Sequence, residues 1–408
     1  MNVFPKTAAL LAALAALAAG ASFAAPLLAQ TAQGPAQSGS EPANANRSIW
    51  TLNVTQDRKD HARLGGYTRK WDLSGLPHYV PKRRLNGTLR IWGSNYLQDG
   101  PLGEYWRKAF NAFQPGIRID YNLPTAGIAI PALAGKVADL GVGRPPTLMD
   151  LLTFEQVYHH EPTQITAATG SYDVYGWSPA FIIVVHKDNP LAQISMKQLD
   201  GVFGTARLGG YRGSVWHTDY PYRRGIDENI RTWGQLGLTG EWADKPIHPC
   251  GQSPRANVQT VFSELVLRGS DQWVEGYRAF ANHATPDGRI NAWSLQVRRA
   301  VETDPYSLCI ASPLTLSPGM KELAVQGFGG GPYVKRMLET VRDHSYPLYN
   351  EIYFFLERAP GKPADPKVEE FIRFILSREG QEAIQADGKY LPLTAEMARA
   401  QLAKLEPK

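Results

Sequence analysis

The chain is poor in the residues and patterns that announce an enzyme. No P-loop, G-x-S-x-G elbow, H-E-x-x-H helix or C-x-x-C pair is present, so no catalytic group, cofactor or metal is named by a motif. The pair His159-His160 with Glu161 reads as a surface pair, because adjacent residues on one element point in different directions. Cysteine is scarce: Cys250 and Cys309 are the only two. Both end apolar, strand-like runs (KPIHPC and YSLCIA) and could be neighbours in one sheet, joined as a disulfide in an oxidising compartment or left as inert buried thiols. One-sided charge is also lacking. The formal net charge is +5, and the basic runs at 82–84 and 222–224 read as solvated faces without any nucleic-acid reader motif. Nucleic acid is therefore not an expected partner, whereas a mild positive field suits a small anion.

Apolar runs of membrane-spanning length are missing after the N-terminus. What stands there is Lys6 followed by the Ala/Leu run Ala8 to Ala19, with small residues at Ser22, Ala24 and Ala29 as cleavage points. This reads as a secretory signal peptide over 1–29, implying a periplasmic, soluble mature chain. Residues 30–48, rich in Gln, Ser, Pro and Asn, cannot bury enough surface to order themselves and read as a tether. Residues 49–86 form an N-terminal extension.

From residue 87 strands and helices alternate. GTLRIWGS, IRIDYNL and ADLGVG read as strands, with helical spacing between them in PLGEYWRKAFNAF and GIAIPALAGKV. That order builds βαβ units and a parallel sheet, whose ligands bind beyond the carboxyl ends of the strands. The loops GSNYLQ (93–98), LPTAGI (123–128) and VGRPPT (142–147) thereby become candidates. A second block opens with the apolar strand AFIIVVHKDNP and contains a long loop at 205–228, rich in Gly, Tyr and Arg. In CGQSPRANVQTVF, Val258, Val261, Phe262, Leu265 and Val266 mark an amphipathic helix, with Ser253 as its expected N-cap and Pro254 at its first position. DPKVEEFIRFILSREGQEAI reads as one amphipathic helix near the end.

In order and spacing, LRIWGSNYL, TAGIAIPALAGKVADLGVG, VVHKDNPLAQISMKQLDGVFG, WGQLGLTGEWADKPI and YPLYNEIYFFLERAPGKPADPKVEEFIRFILSREGQ with GKYLPL resemble the phosphate-binding-protein-like periplasmic solute receptors of ABC transporters. The resemblance spans roughly 87–395. It implies an α/β fold of two lobes, each a mostly parallel sheet flanked by helices, with the ligand cleft between them. Residues 87–178 plus 346–408 would form lobe 1, and 179–345 lobe 2.

The family's anion contacts carry over loop by loop. Ser94, Asn95 and Tyr96 occupy the first loop, and Thr125-Ala126-Gly127 stand where the family has Gly-Ser-Gly. Gly143-Arg144 replace Ser-Asp in the third loop, exchanging an acceptor for a permanent donor. In the fourth loop Gln252 stands at the family's Arg, and Ala256-Asn257-Val258 at its Ser-Gly-Thr, with Ser253 and Arg255 nearby. A salt-bridge role for Arg144, and a plain first-turn role for Ala256 and Asn257, remain open. The resemblance implies a non-enzymatic, monomeric receptor without a cofactor. It would capture a small anion, phosphate first or a related oxyanion or carboxylate, for an inner-membrane ABC permease or a sensor. The alternative is a receptor-fold scaffold or interaction module with a degenerate pocket.

Overall fold

The computed structural model describes residues 65–174, 178–212 and 215–406. The expected signal peptide, the tether and the first part of the N-terminal extension lie outside those residues.

Strand β1 (Gly87–Gly93) buries Leu89, Ile91 and Gly93 at alternate positions, the period-two pattern that presses one strand face onto a core. Helix α1 (Leu102–Phe113) follows, with Leu102, Trp106 and Phe110 buried at helical spacing. Next come β2 (Ile117–Asn122), α2 (Ala129–Ala134), β3 (Leu140–Gly143), α3 (Leu148–Tyr158) and β4 (Thr163–Thr169). A second series contains β5 (Ile182–His186), α4 (Met196–Phe203), β6 (His248–Gln252) and α5 (Asn257–Leu265). It continues through β7 (Arg278–Phe280), α6 (Trp293–Thr303), β8 (Ser307–Ala311) and β9 (Met320–Glu322). The chain then returns with β10 (Glu351–Leu356), α7 (Pro366–Ile375), α8 (Arg378–Asp387) and α9 (Ala395–Ala403).

These elements make two lobes around two five-stranded sheets, ordered β2-β1-β3-β10-β4 and β7-β6-β8-β5-β9. Both follow one plan: three parallel strands, then a fourth reversed and a fifth turned back. In each sheet the reversed strand adjoins a segment that crosses between the lobes. There Gly170 N–H donates to Asn350 O (2.8 Å) and Phe181 N–H to Leu348 O (3.1 Å). The described start of the chain also touches both lobes. Tyr67 Oη accepts from Tyr172 N–H at 2.6 Å, and Trp71 lies between the Arg69 and Arg342 guanidiniums, 4.2 and 4.4 Å from its ring.

Lobe 1 is held by an aromatic core: Tyr79, Phe110, Phe113 and Phe374 meet ring to ring, and Trp106 Nε1 donates to Gly380 O at 2.9 Å. Lobe 2 adds two stronger ties. Cys250 and Cys309 face each other in the β6–β8 register and form a disulfide. On α4, Asp200 takes both arms of Arg207 (2.9 and 2.7 Å) and lies 3.5 Å from Arg224, all three side chains almost fully buried.

Three local expectations are corrected. The run 222–224 is not wholly solvated, because Arg224 is 4% exposed and is neutralised by Asp200. The helix expected over DPKVEEFIRFILSREGQEAI is two helices. Ser377 turns its hydroxyl back to Phe374 O (2.7 Å), accepts from Gly380 N–H (3.4 Å) as the N-cap of α8, and so breaks the run. The loop 205–228 carries structure: short paired strands at Gly210–Arg212 and Val215–His217 rise from a base closed by Arg207 and Arg224.

Candidate functional site

The carboxyl ends of β1 and β3 converge because two positions have no side chain. At Gly93 the backbone adopts φ +144°, and a Cβ there would lie 1.8 Å from Val142 O. A Cβ at Gly143 would lie 2.5 Å from Ala126 O. Glycine is therefore required for three loops to meet. Ser94 N–H then donates to Val142 O (2.8 Å) and Thr125 N–H to Gly93 O (3.0 Å), tying the first and second loops to the strand ends.

Within this platform the predicted residues divide. Thr125 and Gly127 are exposed, and Ala126 opens a single 3-10 turn. Ser94 is buried. Asn95 Nδ2 donates to Asp99 at 2.5 Å. The Tyr96 phenol is buried and donates to Gly143 O at 3.3 Å, and burial raises its pKa so that it stays a donor. Tyr96 therefore braces the loops with its side chain rather than presenting it.

Arg144 lies in the same cluster. Its Nη1 donates to Pro145 O (2.9 Å) and to Asp150 Oδ2 (2.7 Å), while Nη2 lies 3.9 Å from where a Gly127 Cβ would stand. The salt bridge left open by the sequence thus exists, and it holds the guanidinium against the second loop. Asp150 is the residue that sequence reasoning missed. Its Oδ2 also accepts from Thr147 N–H and Oγ1, both at 2.8 Å, completing a capping box on α3. The readable signal was Thr147-Leu-Met-Asp150, a T-x-x-D box.

On lobe 2 the expected cap is wrong. Helix α5 begins at Asn257 with Ala256 as N-cap and no side-chain cap. Pro254 instead forms the corner of a turn in which Ala256 N–H donates to Ser253 O at 2.8 Å, the geometry proline favours at the second turn position. Ser253 N–H is taken by Phe280 O (2.8 Å), and Gln252 O accepts from the Tyr277 hydroxyl (2.7 Å). Arg255 is exposed. Asn257 Oδ1 and Gln259 Oε1 are buried without a hydrogen-bond partner. Among the described residues, no hydrogen bond or ion pair joins positions 94–96, 125–127 or 144 to positions 252–257.

Between the lobes lies a titratable cluster. The His344 ring stacks on Tyr349 (centroids 3.8 Å apart), with Nε2 at 2.9 Å from Thr169 Oγ1 and 3.8 Å from Glu351. Burial pushes Glu351 up to about 7 and His344 down to about 4. Elsewhere, His160 meets Glu357 at 3.2 Å and His159 ends α3 in a left-handed conformation. No group of three or more His, Cys, Asp or Glu residues suited to a metal occurs among the described residues. No helix there is long and apolar enough to cross a membrane.

The phosphate-binding protein PstS of Pseudomonas aeruginosa is 28% identical over 331 residues, covering 81% of this chain and 90% of that protein. Among solved structures, PstS from Borrelia burgdorferi aligns with 14% identity over 76% of this chain and 100% of that one, at a TM-score of 0.45. An ABC-type phosphate transport receptor from Vibrio cholerae aligns with 17% identity over 74% and 99%, at a TM-score of 0.43. The profile of the PBP superfamily domain matches residues 108–379, and the chain belongs to that superfamily.

Proposed function

We propose that the chain is a periplasmic receptor that captures a small oxyanion between its lobes, phosphate first, and delivers it to an inner-membrane ABC permease. The observation that carries this reading is the packing of three strand-end loops of lobe 1 against one another and against the Arg144 guanidinium. Preorganised N–H groups and hydroxyls are the chemistry an oxyanion needs, and the similarity to a phosphate-binding protein over most of its length supports phosphate. In this reading Ser94, Thr125 and Gly127 donate from lobe 1, and Gln252, Ser253, Arg255 and Asn257 complete the cleft from lobe 2.

Arg144 offers only donors to a ligand, and the Oδ2 of its partner Asp150 takes three donors from Arg144 and Thr147. A permanent donor at position 144 favours a fully ionised oxyanion, and sulfate becomes a real competitor. Thermal denaturation of the mature chain with phosphate, sulfate, phosphonates and small carboxylates tests this. Saturation at a hundredfold excess over Kd adds about 2.7 kcal/mol of stability. A melting temperature unmoved by every anion would leave the scaffold alternative in its place. A response to phosphate alone would overturn the role given to Arg144, as would unchanged affinity in Arg144→Asp.

A further inference from the structure

The parallel strands of the lobe 2 sheet have two edges, and the loops discussed above use only the carboxyl one. At the other edge, where β6, β7 and β8 begin, lies a cavity of about 630 Å³. His248 and Arg278 stand at the first positions of β6 and β7, and Asp304 precedes β8. Strand β6 separates this cavity from Gln252 by a rise of about 13 Å at 3.3 Å per residue, so the two places are distinct.

The cavity has an apolar wall and a fixed cation. Val202, Ile230, Ile247 and Val274 supply the wall. Arg231 supplies the cation: its Nη1 donates to Gly201 O (2.7 Å) and Ile230 O (2.8 Å), and its Nη2 to Gly204 O (3.2 Å). Those carbonyls hold the guanidinium still but carry no net charge. Among the described residues no carboxylate forms an ion pair with Arg231, in contrast to Arg207, which is paired with Asp200. Burial lowers its pKa, and the neighbouring Arg224 lowers it further.

The acids nearby do not supply that charge. Asp304 Oδ2 is committed to His248 Nδ1 (2.8 Å), Arg278 Nη2 (3.3 Å) and Ser307 Oγ (3.0 Å), and its Oδ1 accepts from Tyr306 N–H (3.1 Å). Glu275 lies exposed on the rim. A cavity of this volume is in the range of small-molecule sites, and an unneutralised, half-buried guanidinium beside aliphatic walls selects one class of guest.

We propose that the amino-end edge of the lobe 2 sheet is a second ligand site, taking a small monocarboxylate whose carboxylate pairs with Arg231 and whose aliphatic body lies on Val202, Ile230, Ile247 and Val274. The cleft between the lobes plays no part in it.

Calorimetric titration of the full mature chain with octanoate, octanol and octylamine tests the site. Octanoate binds saturably, while octanol and octylamine bind at least about tenfold more weakly, the factor expected for losing a charge-assisted pair. Arg231→Gln weakens octanoate by a similar factor. Because Arg231 also caps the carboxyl end of α4, that variant is paired with Val274→Trp, which replaces part of the apolar wall by a bulky indole and leaves the Arg231 bonds in place. Val274→Trp weakens octanoate binding at least about tenfold and leaves the response to phosphate or sulfate unchanged. Absence of saturable octanoate binding overturns the proposal. So does octanol binding equal to octanoate, or octanoate affinity unchanged in Val274→Trp.

Discussion

Lobe 1 and lobe 2 place loops at equivalent strand ends, yet they stabilise them differently. In lobe 1 the backbone packs against backbone at Gly93 and Gly143, and the Arg144–Asp150 pair braces the third loop. In lobe 2 the strength lies in the sheet and under it, in the Cys250–Cys309 bond and the Asp200–Arg207–Arg224 group. The turn at 253–257 has no side-chain cap and keeps an unpartnered Asn257 oxygen. Lobe 1 therefore has its loops fixed by contacts of their own, while lobe 2 offers a rigid base with polar groups still to be satisfied. Such a division suits a receptor that closes on its ligand, since unused hydrogen-bonding capacity on one side is a gain realised only on closure.

The largest effect expected on this comparison comes from Asp200→Ala. It strands two buried guanidiniums, and breaking a buried ion group in this way costs about 3–5 kcal/mol. Urea denaturation should show that loss, with the aromatic core of lobe 1 untouched in near-ultraviolet dichroism before the transition. Cys309→Ser comes next. A bridge closing a loop of 59 residues contributes about 2–4 kcal/mol, so the variant and the reduced wild type should lose similar stability, and a stable variant would show that the sheet alone holds lobe 2. Gly143→Ala is smaller in stability, about 1–3 kcal/mol for overpacking, but it separates the second and third loops of lobe 1. Its anion affinity should fall more than its stability, whereas the two lobe 2 variants should show the reverse.

The smallest net effect is that of pH, because two groups at the lobe junction oppose each other. Glu351 has its pKa raised from 4.5 to about 7, so its stabilising contribution is complete below 4.5 and lost as pH rises through 7. His344 has its pKa lowered from 6.5 to about 4, so its contribution is present above 6.5 and lost as pH falls through 4. Between pH 4.5 and 6.5 the two slopes cancel and the wild-type curve is shallow. Glu351→Gln should unmask a rise in stability with pH over that window, and His344→Gln a fall. Parallel curves for both variants would show that folding shifts neither group's pKa.

Local pattern made much of the fold readable. Alternation in GTLRIWG and helical spacing in LGEYWRKAFNAF give β1 and α1 where expected, because each buries one face against one core. The candidate site was readable as loops but not as contacts. Arg144 announced a charge, but only α3 packed beside its loop supplies Asp150 as partner. Ser253 and Pro254 had the letters of a helix start, yet the turn they form delays the helix by three residues. Arg224 looked solvent-facing until Asp200, 24 residues earlier in the chain, came to lie beside it.

By itself the sequence determined where most strands and helices of the two sheets run and that the lobes are α/β. These follow from periodicities of two and 3.6 residues, which depend on near neighbours alone. Tertiary structure alone decided which charges are neutralised, that Cys250 meets Cys309, and that Arg231 faces a cavity without a counter-charge. A charge or a thiol acts on whatever lies within a few ångströms, and in a chain folded through two crossings those neighbours come from distant segments.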